Sequence, residues 1–587
     1  MEDAEHVLKA DYSTDSSAPL PEYGVAEHHN RPWSARVVNS FRRDPNAHAT
    51  PKGAVGADGR IYDVESAAAA TANSPLQRSL KGRHLQMIAI GGSIGTGLFV
   101  GSGSALAHGG PASVLLAWLI VGIMMYCTVH ALGEMAVLFP VAGSFSAYST
   151  RFLDPAWGFA MGWNYAMQWL VVLPLEIVSA TITINFWNSN INNDAFVAIF
   201  LVLIITINLF GVKGYGEAEF VFAIIKVIAI IGFIILGIII NIGGGPGGTY
   251  VGGRYWRDPG AFNNGFKGLC STFVTAAFSF AGTELVGLAA AETANPRKSL
   301  PTAIKQVFWR ITMFYIVSLL LVGLLVPYTN GQLLNGSSSV DAKASPFVIA
   351  ISDAGIAGLP SVINVIIMIA VLSVGNSSIY GSSRTLAALA EQNQAPKILA
   401  YIDRKGRPIV AIGLASALGF LAFFAGSNKW NDAFNWMLAL SGLSSIFTWG
   451  SICLAHIRFR HGWKKQGHTL DELAFRSQPG VWGSWLGLVI NIIILPAQFW
   501  TGAWPIHYGE LGVAGQVNSF FQAYLAAPIV VLSYIVYKIW RKTPIIRSHN
   551  MDLHTGIRDL NVAELIAEER MDRAAWPRWK KVYKFLC

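Results

Sequence analysis

Three charged side chains stand inside long apolar stretches: Glu176 in WLVVLPLEIVSATITINFW, Lys226 in FVFAIIKVIAIIGFI and Glu284 in LCSTFVTAAFSFAGTELVGLAAAE. A charge at mid-bilayer costs from about 2.5 to well over 10 kcal/mol, so each needs a partner or a task. Lys226 lies nine residues past Glu217. At 1.5 Å per residue that is roughly 14 Å, near a bilayer midplane. A lysine held in low dielectric can load and unload a proton. The alternative is a permanent structural cation, paired with a carboxylate or with helix-end carbonyls. Glu284 is a candidate for proton transfer or substrate contact; the alternative is a gate or a packing hydrogen bond. Glu176 follows Pro174, whose missing N–H loosens the local helix. It can face a cavity and attract cationic groups, or be structural. Glu134, in ALGEMAVLFP, reads as an anchor for the following loop through Arg151. Ser373, Asn376 and Ser377 either line the same cavity or bridge neighbouring helices. Trp163, Tyr165 and Trp169 line the pathway or sit at an interface.

Runs of small residues accompany these charges. HLQMIAIGGSIGTGLFVGSGSALA, His84 to Ala107, carries no Asp, Glu, Lys or Arg, yet its middle is Gly91-Gly92-Ser93-Ile94-Gly95-Thr96-Gly97. Glycine costs about 1 kcal/mol in a helix interior relative to Ala. Backbone freed inside lipid is tolerated only where protein or a watery cavity satisfies it. The run therefore predicts a broken helix, the device with which many transporters hold substrate. Close packing on a neighbouring helix is the alternative. Phe280-Ala281-Gly282-Thr283-Glu284 repeats the signal. A half-helix starting around 95–98 offers N–H groups and a positive dipole end, which suit a carboxylate. Unwound carbonyls of Phe280, Ala281 and Gly282 suit an ammonium. Together they fit a free amino acid. Ser93, Ile94, Gly95, Thr96, Gly97, Glu176, Phe280, Ala281, Gly282, Thr283, Glu284 and Asn376 are the candidate substrate contacts, and Lys226 and Glu284 the candidate proton carriers.

The elements that must position these residues are membrane helices. The chain has 587 residues, 53% hydrophobic and 13% charged, against about 25% charged in a soluble domain. Twelve apolar segments occupy 84–107, 112–138, 159–186, 194–211, 217–241, 268–291, 303–327, 361–390, 408–426, 433–457, 481–501 and 517–540. Residues 1–81 read as a mostly disordered tail, and 541–587 as a second polar tail. With both tails inside, thirteen Lys/Arg fall in inner loops and five in outer ones, which orients the tails to the cytoplasm. The two interrupted segments, one and six, are five apart, as in two inverted five-helix repeats. The fold class is thus all-α membrane, twelve helices, in a 5+5 inverted repeat with helices one and six broken. The net charge of +9 suits anionic membrane lipids and is no nucleic-acid footprint. Cys127, Cys270, Cys453 and Cys587 show neither a disulfide framework nor metal spacing, and no cofactor is called for.

One proton supplies about 2.3 kcal/mol per 100 mV and about 2.7 kcal/mol for two pH units. That supports roughly thousand-fold accumulation of a neutral solute. A mid-membrane lysine argues for protons over sodium. Neither H-E-x-x-H nor G-x-S-x-G stands at a membrane face, so the chain does not read as an enzyme.

RHLQMIAIGGSIGTGLFVGSG at 83–103, QWLVVLPLEIVSA at 168–180 and FSFAGTELVGLAAAETANPRKSLP at 278–301 resemble one family. KASPFVIAI at 343–351, FNWMLALSGLSSIFTWG at 434–450 and NMDLHTG at 550–556 extend the likeness. The family is the fungal amino acid permeases of the amino acid–polyamine–organocation superfamily, and the likeness is greatest to its broad-range general members. The resemblance implies the leucine-transporter-type fold, with its 5+5 inverted repeat, and proton-coupled uptake of L-amino acids at the plasma membrane. It implies carboxylate contact by Gly92 to Gly97 and amino-group contact by Phe280 to Glu284. It sets Lys226 where related carriers hold a sodium ion. It also implies palmitoylation of Cys587, and endosomal traffic driven by ubiquitin ligases acting on tail lysines such as Lys9. A narrow-range permease and a permease-like sensor remain the alternatives.

Overall fold

The computed structural model describes residues 33–43, 62–187, 191–334, 345–426, 430–506, 508–557 and 576–577. Cys587 and Lys9 lie outside the described residues. Among these residues the protein is helical, with two isolated β-bridges and no strand. Every one of the twelve apolar segments carries helix. Eight helices among the described residues are long and apolar enough to cross a bilayer, and a pair bent by 61°, Val513–Tyr524 and Ala526–Arg541, makes a ninth. Asn193–Leu209 and Ile409–Phe424 are apolar but shorter.

Segments one and two run together as Gly97–Leu138, 42 residues long. At 1.5 Å per residue that is roughly 63 Å, twice a bilayer core. The run is divided at Gly110, with φ 79° and ψ 168°, directly before Pro111. A side chain on Gly110 would come within 2.8 Å of Asn263 N, so only glycine fits the corner. The carbonyls left over there are met by one loop. Asn263 Nδ2 donates to Ala107 O at 2.7 Å, Asn264 Nδ2 to His108 O at 3.0 Å and Asn263 N to Gly109 O at 2.9 Å.

The polarity of the bundle is inverted relative to a soluble protein. Gly211–Asn241, the segment-five helix, exposes Val221, Ile224, Ile228, Ile231, Ile235 and Ile238 on one face. Its other face buries Tyr215, Glu219, Ala223 and Lys226. An apolar stripe of that length turned outward suits lipid. Segment six is at the centre, with 94% of its most apolar window buried. Helices Pro155–Ile184 and Leu359–Glu391, segments three and eight, pack along each other beside it.

The segment to residue 81, expected to be mostly disordered, contains ordered structure. Val64–Ala72 is a helix capped by Asp63, which accepts from Glu65 N and Ser66 N. Leu80 pairs with the chain after segment six: Leu80 N donates to Glu292 O at 3.0 Å and Ala294 N to Leu80 O at 3.1 Å. The stretch is too short for periodicity to reveal; tertiary contacts hold it. The C-terminal residues 546–557 dock on the same end, burying Met551 and Leu553. A Cβ on Gly556 would lie 3.4 Å from that of Ala72, so the two tails meet.

The Glu134–Arg151 pairing expected from sequence is corrected. Glu134 faces segment ten, where Arg460 and His456 meet it, and Ser477 N donates to it at 2.7 Å. Arg151, at the end of helix Phe145–Phe152, turns to the C-terminal segment. It donates to Asp552 O at 2.6 Å and Thr555 O at 2.7 Å, and its guanidinium lies 2.9 Å from the Asp552 carboxylate. Burial alone would raise the Asp552 carboxyl, but Arg151 and the N–H groups of Thr555 and His554 hold it below the usual carboxylate range. A depressed carboxyl stabilises docking above its unfolded value, about 3.9, and that contribution is lost as pH falls through the folded value. In detergent, protease protection of residues 546–557 should therefore persist at pH 5 and decline below about pH 4. Arg151→Ala should weaken docking by roughly 2 kcal/mol, about a thirtyfold larger cleavable population. Unchanged protection in that variant would show that Met551 and Leu553 alone hold the tail.

Candidate functional site

Helix Gly82–Gly91 stops at Gly92, and helical structure resumes at Gly97 as a five-residue π-turn. π-turns recur at functional sites. Leu98 N and Phe99 N both donate to Gly95 O, at 3.2 and 3.1 Å, so the N–H groups of Thr96 and Gly97 precede the helical ladder. A Cβ on Gly95 would lie 2.4 Å from Val374 Cγ2. Segment six breaks in register with this. Gly265–Phe280 ends, Ala281 is extended with ψ 137°, and Gly282 has φ 99°. The two breaks touch: a Cβ on Gly282 would fall 2.8 Å from Gly92 O.

Beside this crossing lies a cavity of about 250 Å³. Segment one contributes Ser93, Gly95, Thr96 and Gly97, segment three Trp169, Val172 and Glu176, segment six Phe278 and Ala281, and segment eight Val374. Glu176 Oε2 accepts from Thr96 Oγ1 at 2.5 Å. Glu176 Oε1 is buried and has no hydrogen-bond partner among the described residues. A buried carboxylate oxygen without a donor is costly and is ready to take one from a ligand. The cavity thus sets helix-start N–H groups and one unpartnered carboxyl oxygen against apolar walls.

The structure brings Ser93, Gly95, Thr96, Gly97, Glu176 and Ala281 to this cavity and places the other candidates elsewhere. Ile94 is buried in the core. The Phe280 ring packs on Tyr315 at 4.3 Å. Thr283 Oγ1 donates to Phe280 O at 2.7 Å. Glu284 is held by three donors, Tyr165 OH at 3.0 Å, Gly282 N at 3.2 Å and Trp449 Nε1 at 3.2 Å. It ties segments three, six and ten together. Asn376 accepts from Asn208 Nδ2 at 2.9 Å, a bridge between segments eight and four. Lys226 Nζ donates to Gly91 O and to Ser373 Oγ, both at 2.7 Å. It therefore sits between the segment-one break and segment eight.

Three buried residues of this region escaped sequence reasoning. Glu219 lies 3.7 Å from Lys226 Nζ. Arg310 of segment seven donates to Ala89 O and to Thr283 Oγ1. Tyr315 OH bonds Ser93 O at 3.2 Å and Ser279 O at 2.8 Å. Arg310 carried a signal, a charge five residues deeper than Lys305 in an apolar stretch; Tyr315 carried none.

A family model described as amino acid permease matches residues 84–550, which include both breaks, Glu176 and Lys226. The chain belongs to the amino acid permease family. It is 57% identical over 559 residues to the general amino-acid permease GAP2 of Candida albicans, covering 94% of this chain and 93% of that one. It is 54% identical over 591 residues to the general amino-acid permease GAP1 of Saccharomyces cerevisiae, covering 99% and 96%. Family and apolar helices together make this permease a multi-pass membrane protein, and its relatives are transporters, not enzymes.

Two outcomes follow from the crossing. Gly95→Val and Gly282→Ala should each cut uptake about a hundredfold, since small displacements in a binding site cost that much. Surface abundance of a fluorescently tagged protein should stay within about twofold of wild type for Gly95→Val, where only Val374 has to move. Normal uptake by a surface-resident Gly95→Val protein would take the site away from segment one. Glu176→Gln should raise the KM for arginine about tenfold, or about 1.4 kcal/mol of lost attraction, and leave that for alanine within about twofold. Equal losses for both substrates would make Glu176 structural.

Proposed function

We propose that this permease carries L-amino acids inward across the plasma membrane in symport with protons, with a broad range of side chains. The observation that carries this reading is the contact of two helix breaks beside the Glu176 cavity. In it the substrate carboxylate takes the N–H groups around Gly95–Gly97, and the ammonium takes the Ala281 carbonyl and the free Glu176 oxygen. Recognition by backbone ignores the side chain, so specificity falls to the walls, Trp169, Val172, Phe278 and Val374. The chain would cross the bilayer twelve times, with the segments around breaks one and six related as inverted five-helix repeats. The meeting of both tails on one end supports an even number of crossings. Both tails would then be cytoplasmic, with Cys587 available to palmitoylation and tail lysines to ubiquitin ligases.

The second reading is a narrow range, with the apolar walls Trp169, Val172, Phe278 and Val374 selecting the side chain. Uptake in a strain lacking its own amino acid permeases separates the two. With one labelled substrate challenged by every common amino acid in turn, broad competition supports the first reading; competition by one chemical class alone sinks it.

Lys226 joins the proton to the site. Its ammonium holds Gly91 O at 2.7 Å, the last helical residue before the break. Any change in its charge therefore bears on the geometry of 92–97. Lys226→Met keeps the volume and removes the charge. At outer pH 4 and pH 7 the wild type should accumulate substrate far better in acid, whereas Lys226→Met should exchange substrate but show little pH response. Wild-type accumulation and pH profile in Lys226→Met would make Lys226 a structural cation.

A further inference from the structure

We propose that Glu219 is the carboxylate that carries the proton, acting as one unit with Lys226 through the Ser373 hydroxyl. This rests on the symport reading above.

Glu219 and Lys226 are seven residues apart on helix Gly211–Asn241. Seven residues are nearly two turns, so both project from one face. Cβ atoms tilt toward a helix N-terminus, which leans Lys226 back toward Glu219. Neither has any solvent exposure. The ammonium lies 3.7 Å from Glu219 Oε1. Ser373 Oγ stands 2.8 Å from both Glu219 oxygens and 2.7 Å from Nζ. A hydroxyl has one proton to give and lone pairs to receive. Here it accepts from Lys226 and donates to Glu219. A continuous chain then runs from Gly91 O at the break through Lys226 and Ser373 to Glu219.

The other groups facing this pair have partners of their own or, like the second Glu176 oxygen, lie beyond ion-pair reach of Lys226. Tyr215 on the same helix bonds Ser377 Oγ of segment eight at 3.1 Å. From segment three, Glu176 keeps one oxygen on Thr96. From segment one, His84 bonds Glu217 at 3.1 Å. Glu284 is held by its three neutral donors from segments three, six and ten. Glu219 is the acid within ion-pair reach of the cation at the break, and it shares the Ser373 hydroxyl with that cation. Glu217, two residues away, is 43% exposed and bound to Arg83 and His84, so the pair lies just inside a wet, charged end of the helix.

The step is a proton transfer. A proton from outside adds to the Glu219 carboxylate, giving the neutral carboxylic acid. Its O–H then donates to Ser373 Oγ, and the ion pair with Lys226 is lost. The ammonium, no longer neutralised, leaves the site one unit more positive at Gly91, beneath the N–H groups of the break. That charge favours the substrate carboxylate, so proton and substrate bind together, and by linkage each raises affinity for the other. On the inner side the proton departs, the carboxylate re-forms its pair with Lys226, and substrate affinity falls.

The test uses the full chain in the permease-deficient strain, with surface abundance followed by a fluorescent tag. Glu219→Gln, which mimics the protonated acid, should still exchange labelled for unlabelled substrate. Its accumulation ratio should fall to about one, and its ratio of uptake at pH 4 to that at pH 7 should also approach one. Glu219→Asp keeps the charge and hence the buried balance. By withdrawing the carboxylate one methylene from Lys226 and Ser373, it should shift the pH midpoint of uptake by about half a unit or more. It also decides the matter if the Gln variant does not reach the surface. Wild-type accumulation in Glu219→Gln, or a wild-type midpoint in Glu219→Asp, would overturn the assignment while leaving symport intact. A wild-type protein indifferent to pH and to protonophore would overturn symport, and this assignment with it.

Discussion

A polypeptide in a bilayer has nowhere to hide an unpaired N–H or C=O. Two helices of this protein are nevertheless interrupted where that rule bites hardest, and much of the buried architecture exists to make the interruption tolerable. The breaks lie against each other at Gly92 and Gly282. Segment seven closes them from one side. Tyr315 bonds Ser93 O and Ser279 O, and Arg310 caps Ala89 O while holding Thr283. Segments five and eight close them from the other, through Lys226 on Gly91 O and Ser373. What protein leaves unmet, the substrate can take. The same unsatisfied groups make the break costly to form and specific once filled.

This arrangement explains why so many charges are buried. Arg310, Lys226, Glu219, Glu176 and Glu284 all lie within the region of the breaks and have almost no exposure. Each buried ion needs good geometry to survive. Arg310 uses a carbonyl and a hydroxyl, with no carboxylate bonded to it, which suits the C-terminal end of helix Gly82–Gly91, where carbonyls point outward and the dipole is negative. Lys226 uses the same helix end. Two cations on one set of helix-end carbonyls are a fixed feature of the Gly82–Gly91 half of segment one, and they oppose the positive start of the Gly97 half across five residues.

The break in segment one was legible because six small or polar residues, clustered among seven, interrupt an otherwise apolar run. Segment six was legible through the same chemistry. Lys226 stood out because its neighbours along the chain are apolar. Glu219 did not: it lies two residues from the exposed Glu217, and near a segment boundary an acid reads as solvated. Only the seven-residue spacing hinted that it shares a face with Lys226. The position of Asn376 was undecidable from composition, since a Ser/Asn-rich helix can present amides to a cavity or to a neighbour; the partner, Asn208, is 168 residues away. The ordered part of the N-terminal tail was illegible for a different reason. Val64–Ala72 is mostly alanine, with too little apolar contrast to show a periodic face. Its order comes from the surface it lands on.

The docking of both tails on the bundle has a mechanical consequence. Leu80 is hydrogen-bonded to Glu292 and Ala294, just past the end of segment six, and it leads directly into helix Gly82–Gly91 of segment one. The tail-side halves of the two broken helices are thus coupled twice, at the breaks by Gly92 against Gly282 and at the tail side by Leu80. Glu292 also meets Arg384 of segment eight, with Nε 3.3 Å from Oε2 and both side chains buried. A helix half held at one end can hinge; held at both ends, it moves only with its partner. The Gly82–Gly91 half of segment one and the chain of segment six are therefore tied to each other at both ends, and the hinge of 92–96 joins this pair to the Gly97 half. A proton at Glu219 would act at that hinge and not at a distant gate, because its chain of contacts ends on Gly91 O, one residue before the turn.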